Sequence, residues 1–149
     1  MQPLNLPRFP FRTRTSAGKP QIFDDTRKKF VALTPEEWVR QHFVKFLQIG
    51  YKFPPSLMAI EMPVEINGLK QRADIVVYNR NGQPMVIVEC KAPNVPVTNH
   101  IFDQAARYNL KLKVDYLMIT NGLVHYCAKL DHQNGTYRLL NVLPMFESL

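Results

Sequence analysis

The dipeptide Asn81-Gly82 narrows the possible folds more than any other feature. It lies between two apolar, β-branched runs, Ala73-Asp74-Ile75-Val76-Val77-Tyr78 and Met85-Val86-Ile87-Val88-Glu89-Cys90-Lys91. Asn-Gly in that setting is the strongest short hairpin signal and favours a two-residue type I′ turn. With such a turn, paired residue numbers sum to 163. Val77 then faces Val86, Val76 faces Ile87, Asp74 faces Glu89 and Arg72 faces Lys91. Pro84, close to the turn, can force a bulge.

The register sets two carboxylates opposite each other inside an apolar sheet, with Cβ atoms roughly 5 Å apart. Like charges so placed need a proton, a cation or a divalent metal. Oxygen-only donors with open positions favour Mg²⁺ or Mn²⁺ over zinc. Lys91 shares the face of Glu89, because side chains two apart on a strand point the same way. It can serve as counter-ion, or stabilise charge developing on a phosphorus centre. The same residues admit a simpler reading, since Glu-X-Lys on a strand is commonly a solvated ion pair. Cys90 alternates to the core face and reads as a small buried hydrophobe.

The remaining elements fit around this hairpin. Thr34-Pro35-Glu36-Glu37 is a helix start, with an N-cap threonine, proline at the first position and Glu37 at the capping-box position. The helix runs to Gly50, with Trp38 as a helix-to-sheet anchor. Ser56–Asn67 reads as a strand whose Pro63 marks an edge or a bulge, and Leu69–Tyr78 as the next. After Met85–Cys90, Pro93 and Pro96 break the chain, and a second helix spans Asn99–Lys111. Asp115–Thr120 and Leu123–Lys129 are strands joined at Asn121-Gly122, and Thr136–Val142 is a further strand. The expected fold is an α/β (α+β) domain with order α-β-β-β-α-β and a mixed central sheet flanked by helices.

Charge separates the chain into two regions. Of 149 residues, 19 are Lys or Arg and 12 are Asp or Glu. Residues 1–30 hold seven of those bases and two of the acids, so a basic N-terminal arm or short hairpin precedes a nearly balanced body at 31–149. Ala17-Gly18 offers a turn. The arm reads either as a phosphate-contacting element or as a solubilising terminus. No apolar run approaches the ~20 residues needed to cross a bilayer, and the N-terminus lacks a signal-peptide core. Two cysteines exclude a disulfide scaffold, so a cytoplasmic, reduced protein without membrane contact is expected. No GxxxxGK[ST] motif is present, so no ATP-driven motor is encoded in this stretch. The four histidines show no metal-ligand spacing and read as surface or helix-end residues.

Taken in order, these residues resemble a known family. Arg72-Ala73-Asp74-Ile75-Val76-Val77 and Val88-Glu89-Cys90-Lys91-Ala92-Pro93 are similar to the PD-(D/E)XK nuclease signature. Gln104-Ala105-Ala106-Arg107-Tyr108 is similar to the QxxxY element that follows it in several branches, and Thr34–Gln41 and Ile119–Gly122 complete the pattern. The resemblance covers about residues 30–130 and is nearest to the N-terminal nuclease domain of type I restriction enzyme R subunits. Ala73 stands where the family name has proline.

The resemblance implies a restriction-endonuclease-like core and a metal-dependent DNA endonuclease. Asp74, Glu89 and the backbone carbonyl of Cys90 would hold Mg²⁺ or Mn²⁺, and Lys91 would be the catalytic lysine. Gln104 and Tyr108, four apart and so on one helix face, would lie beside the active centre, Gln104 among the catalytic groups and Tyr108 in contact with DNA. A first-helix glutamate would contribute to the metal site, with Glu37 preferred over Glu36, although capping explains Glu37 equally well. Arg40, Arg72, Arg107 and Lys111 are candidate phosphate contacts. The expected partners are DNA and either a second copy of the chain or other restriction subunits. Two alternatives stay open: a non-catalytic nucleic-acid-binding or subunit-docking module, and a repair or junction nuclease.

Overall fold

The computed structural model describes residues 1–66 and 68–149. Its centre is a six-stranded mixed sheet built from β4 (Met58–Ile66), β5 (Leu69–Tyr78), β6 (Pro84–Cys90), β7 (Tyr116–Thr120), β8 (His125–Asp131) and β9 (Thr136–Leu139). The strands lie in sequence order, and all neighbours are antiparallel except β6 and β7. That parallel pair needs a crossover, which α2 (Asn99–Leu112) supplies. The first helix, α1 (Pro35–Lys45), continues into one wider, π-type turn over Phe46–Gly50.

Each helix covers one face of the sheet. Val39, Phe43 and Leu47 pack on Ile75, Val77, Val86 and Val88. Phe102, Ala106 and Leu112 pack on Val76, Ile87, Leu117 and Ile119. Coverage on both sides explains why β5 and β6 are apolar runs rather than alternating ones. Asn67, the expected end of the first body strand, lies outside the described residues, and the expected start at Ser56 falls in a short helical turn over Pro55–Leu57. Pro63 is tolerated because β4 is an edge strand, where a missing amide donor leaves no gap in the ladder.

The hairpin register holds for its three central pairs, though by another route, whereas the expected pairs Asp74–Glu89 and Arg72–Lys91 are not part of the ladder. Ile75 pairs with Val88, Val76 with Ile87 and Val77 with Val86, all at a sum of 163. The turn itself is longer than two residues. The Asn79 amide donates to Gln83 O (2.8 Å) and that of Gly82 to Asn79 O (3.0 Å). The Asn79 side chain accepts from the amides of Asn81 and Gln83, and Gly82 has φ +80°. This is a three-residue loop closed by a left-handed glycine, which alone would shift the sum to 162. Tyr78 does pair with Pro84 at that sum, and the register shift next to it restores 163. The loop and the bulge cancel.

The N-terminal region is more firmly built than an arm. β1 (Thr13–Ser16), β2 (Lys19–Asp24) and β3 (Lys29–Ala32) form an antiparallel meander that crosses the expected boundary at residue 31. Ala17 and Gly18, at φ 51° and 76°, make its first turn. Arg12 stacks on Phe23 and Arg14 on Phe30, so part of the basic charge is spent on aromatic faces. Residues before β1 lie on the body. The Asn5 amide donates to Gly122 O at 2.8 Å. Gly122 has φ +84°, a conformation that favours glycine, and a Cβ there would come within 2.7 Å of a Leu4 methyl, which would have to shift.

Trp38 does not anchor the helix to the sheet. Its indole donates to Gln2 O (3.0 Å) and its ring packs on His42, which in turn meets Phe9 and Phe11. His42 is therefore buried rather than superficial, and burial pushes its pKa down. No helix among the described residues is long and apolar enough to cross a membrane.

Candidate functional site

A cleft of about 650 Å³ opens where β4, β5 and β6 meet the first turn of α1 and the exposed side of α2. Its lining includes Glu36, Glu61, Arg72, Asp74, Glu89, Cys90, Lys91, Gln104 and Tyr108. Six of the residues proposed from sequence for the centre are thus brought together: Asp74, Glu89, Cys90, Lys91, Gln104 and Tyr108. Arg72 joins them at the rim.

Asp74 does not simply continue the ladder. Ile75 and Val77 pack on the α1 side, whereas Ala73 packs with Val76 on the α2 side, so strict alternation slips between residues 73 and 75. The paired ladder stops at Ile75 and Val88. Asp74 Oδ2 accepts the Cys90 amide (2.8 Å) and Oδ1 accepts Arg40 Nη2 (2.7 Å). Two donors on two elements fix this carboxylate.

Glu89 stands at the C-terminal end of β6. Burial pushes its pKa above the ordinary glutamate value, Lys91 draws it back, and Asp74 pushes it up again. Lys91 is half-buried beside it, its amide donating to Thr120 O (2.8 Å) across the parallel pair. Burial raises Glu36 in the same direction, and the Asp74 charge adds to it. The Cys90 thiol is buried and held well above its ordinary pKa by desolvation, which excludes it as a nucleophile.

Glu37 lies outside the cleft. Its Oε1 accepts from Arg27 (2.8 Å) and Arg40 (2.7 Å), and Oε2 accepts from Gln41 (3.0 Å). Half of the capping box forms, because Thr34 Oγ1 accepts the Glu37 amide (3.0 Å), but the side chain turns inward. Glu36, passed over on the sequence, lines the cleft instead. The packing of Val39, Phe43 and Leu47 on the sheet sets the phase of α1, and one residue of phase separates a buried side chain from a cleft-facing one.

Arg40 is no phosphate contact. It is 4% exposed and reaches four carboxylates: Glu37 through Nη1, and Glu36 (2.9 Å), Glu61 (2.8 Å) and Asp74 (2.7 Å) through Nη2. Those charges raise its pKa despite burial. Arg107 points away from the cleft, into an exposed ion pair with Asp103 (2.8 Å). Arg72 is exposed and pairs with Glu61 (2.8 Å). The Tyr108 hydroxyl donates to Lys70 O (2.6 Å), tying α2 to β5.

Glu61 was not anticipated. It sits in β4 between Ile60, paired with Ile75, and Met62, paired with Ala73, so it lies opposite Asp74. A second Asn-Gly pair, Asn67-Gly68, carries the missed signal: a two-residue loop there makes numbers sum to 135 and sets Glu61 against Asp74. Glu61 has φ +55°, a left-handed conformation inside a strand. Such strain in a non-glycine residue gathers at functional sites.

The donor set suits a hard cation. The cleft offers carboxylate oxygens and a backbone carbonyl, with no histidine in its described lining and its one thiol protonated. A pH dependence follows. Glu36 and Glu89 hold their protons more tightly in the folded chain, so their contribution to stability is fully present below the unfolded value of 4.5 and is lost as pH rises through the folded values. A cation held by Glu89 would bind only its ionised form. Affinity for Mn²⁺ is expected to rise with pH from 4.5 upward and level off above the raised values, with protons released on binding. Titration calorimetry in two buffers of different ionisation enthalpy measures this, and flat affinity without proton release would contradict it.

Residues 35–144 match the family model described as type I restriction enzyme R protein N terminus (HSDR_N). A solved fragment assigned as the HsdR subunit of a type I restriction enzyme from Vibrio vulnificus YJ016 is similar in structure, with TM-score 0.50 and 25% sequence identity over 77% of this chain. The chain spans about a quarter of the length of that fragment, 25%. No curated protein matches. Most of the chain, including both helices and the whole cleft, falls inside the matched region, and the chain belongs to the family of type I restriction enzyme R protein N termini.

Proposed function

We propose that the cleft is a PD-(D/E)XK-type active site, and that the protein is a Mg²⁺- or Mn²⁺-dependent endonuclease module of a DNA restriction system. The observation that carries this reading is the meeting of Asp74, Glu89, Lys91 and Gln104 from three separate elements in one open cleft. Glu89, desolvated and only partly compensated by Lys91, is a perturbed carboxylate in a cleft, the setting in which functional carboxylates gather.

Asp74, Glu89 and the Cys90 carbonyl would hold the cation, which supplies an acidified water and neutralises charge on the scissile phosphate. Asp74 is positioned for this by the Cys90 amide and Arg40. Lys91 can donate to the attacking water or to a non-bridging phosphate oxygen, stabilising the added negative charge. Gln104 lies exposed on the α2 wall, where its amide can orient a phosphate or a water. Arg72 at the mouth is the exposed cleft arginine able to meet backbone phosphates, in exchange for its pairing with Glu61. Partner subunits of the restriction system would supply strand engagement and sequence choice.

The test is a plasmid assay. Supercoiled DNA is expected to be nicked in Mg²⁺ or Mn²⁺ and left intact in EDTA. Absence of cleavage with either ion, on supercoiled, branched and single-stranded DNA and with the partner subunits added, would overturn the catalytic reading.

A further inference from the structure

We infer that Arg40 is a built-in cation of the cleft, its guanidinium standing where a second metal ion would sit, so that the site takes one divalent cation and not two. The inference rests on the metal-dependent reading above and adds its stoichiometry.

Glu36, Glu61 and Asp74 bring one oxygen each within 4.8 Å of one another, the spacing of ligands around a single ion. Arg40 Nη2 occupies their point of convergence, at 2.7–2.9 Å from all three. Its other nitrogen is held by Glu37 at 2.7 Å, behind the cleft wall. Arg40 Nε is buried with no hydrogen-bond partner among the described residues. The fork is therefore oriented by the carboxylates it neutralises, at the expense of its own third donor. Such an arrangement suits a fixed counter-charge and not a mobile surface arginine.

Charge balance gives the same count. The ion-paired network holds Asp24, Glu36, Glu37, Glu61 and Asp74 against Arg27, Arg40 and Arg72, and the cleft lining adds one charge of each sign in Glu89 and Lys91. Six carboxylates and four cations leave two negative charges, which one divalent ion cancels. Two ions would overshoot by two positive charges in a partly buried site. Without Arg40 the deficit grows to three, and the vacated oxygens of Glu36, Glu61 and Asp74 become ligands for a second ion.

The test counts bound Mn²⁺ per chain by calorimetry and by electron paramagnetic resonance, without DNA. Wild type is expected to bind one ion and Arg40→Gln two, with the second ion raising the melting temperature of the variant more than the first raises that of wild type. Arg40→Lys, which keeps the charge, is expected to bind one. Equal counts in wild type and Arg40→Gln would overturn the inference, as would two ions in wild type. If Arg40→Gln folds only in the presence of Mn²⁺, replacement of the guanidinium by metal is supported. If it does not fold at all, the wild-type count decides between one and two. A wild type that binds one ion but cuts no DNA would sink the nuclease reading and leave this one standing.

Discussion

Arg40→Ala is expected to lower the unfolding free energy by about 3–5 kcal/mol, the cost of breaking a buried ion pair by removing one partner. The loss comes less from the contacts removed than from what stays behind. Glu37 keeps Arg27, but Glu36 and Asp74 lose their ion-pair partner and Glu61 keeps only exposed Arg72. Three carboxylates within 4.8 Å then repel one another at the wall of the cleft. Urea denaturation at neutral pH measures the effect, and lowering the pH toward the carboxyl range should recover part of it by protonating the orphaned acids. Arg107→Ala is the control. That arginine is fully exposed in an (i, i+4) pair, and its loss should leave the midpoint indistinguishable from wild type. A small effect from Arg40→Ala would mean that the four-carboxylate cluster is not ionised as a unit.

Arg40 also marks where local sequence signals stop. The apolar runs around Asn81-Gly82, the Thr34-Pro35 helix start and the Pro63 edge strand are local signals, because turn chemistry, capping and missing donors act within a few residues. They are enough to put Asp74, Glu89 and Lys91 together. The remainder depends on how α1 lies across the sheet. Whether Glu36 or Glu37 faces the cleft is decided by one residue of helical phase, 100° of rotation. Whether Arg40 meets DNA or is buried is decided by the packing of Val39, Phe43 and Leu47 on β5 and β6. Neither is written in any short stretch. Glu61 is intermediate: a second Asn-Gly carried its register, but its left-handed backbone, which breaks the strand pattern next to Asp74, has no sequence signature.

Glu89→Gln is expected to abolish cleavage while raising the melting temperature. An ionised Glu89 is unfavourable in the fold, because burial outweighs the help from Lys91. Glutamine keeps the shape and removes the charge, so the folded state gains at any pH where the glutamate would ionise. The same change removes a proposed metal ligand and with it the acidified water. Lys91→Ala and Asp74→Asn should cost cleavage as well, Lys91→Ala by roughly 10²–10³-fold, as when one stabiliser of developing charge is lost. Asp74→Asn is preferred to alanine because its side-chain oxygen can still accept the Cys90 amide, which keeps the end of β6 in place. Plasmid nicking and thermal melting on the same preparations read the two properties separately. A structural ion pair between Glu89 and Lys91 would give the opposite outcome, with every variant less stable and cleavage unchanged. A Glu89→Gln protein that melts higher and no longer cuts is the result expected of a carboxylate kept against the stability of the fold for what it does in the cleft.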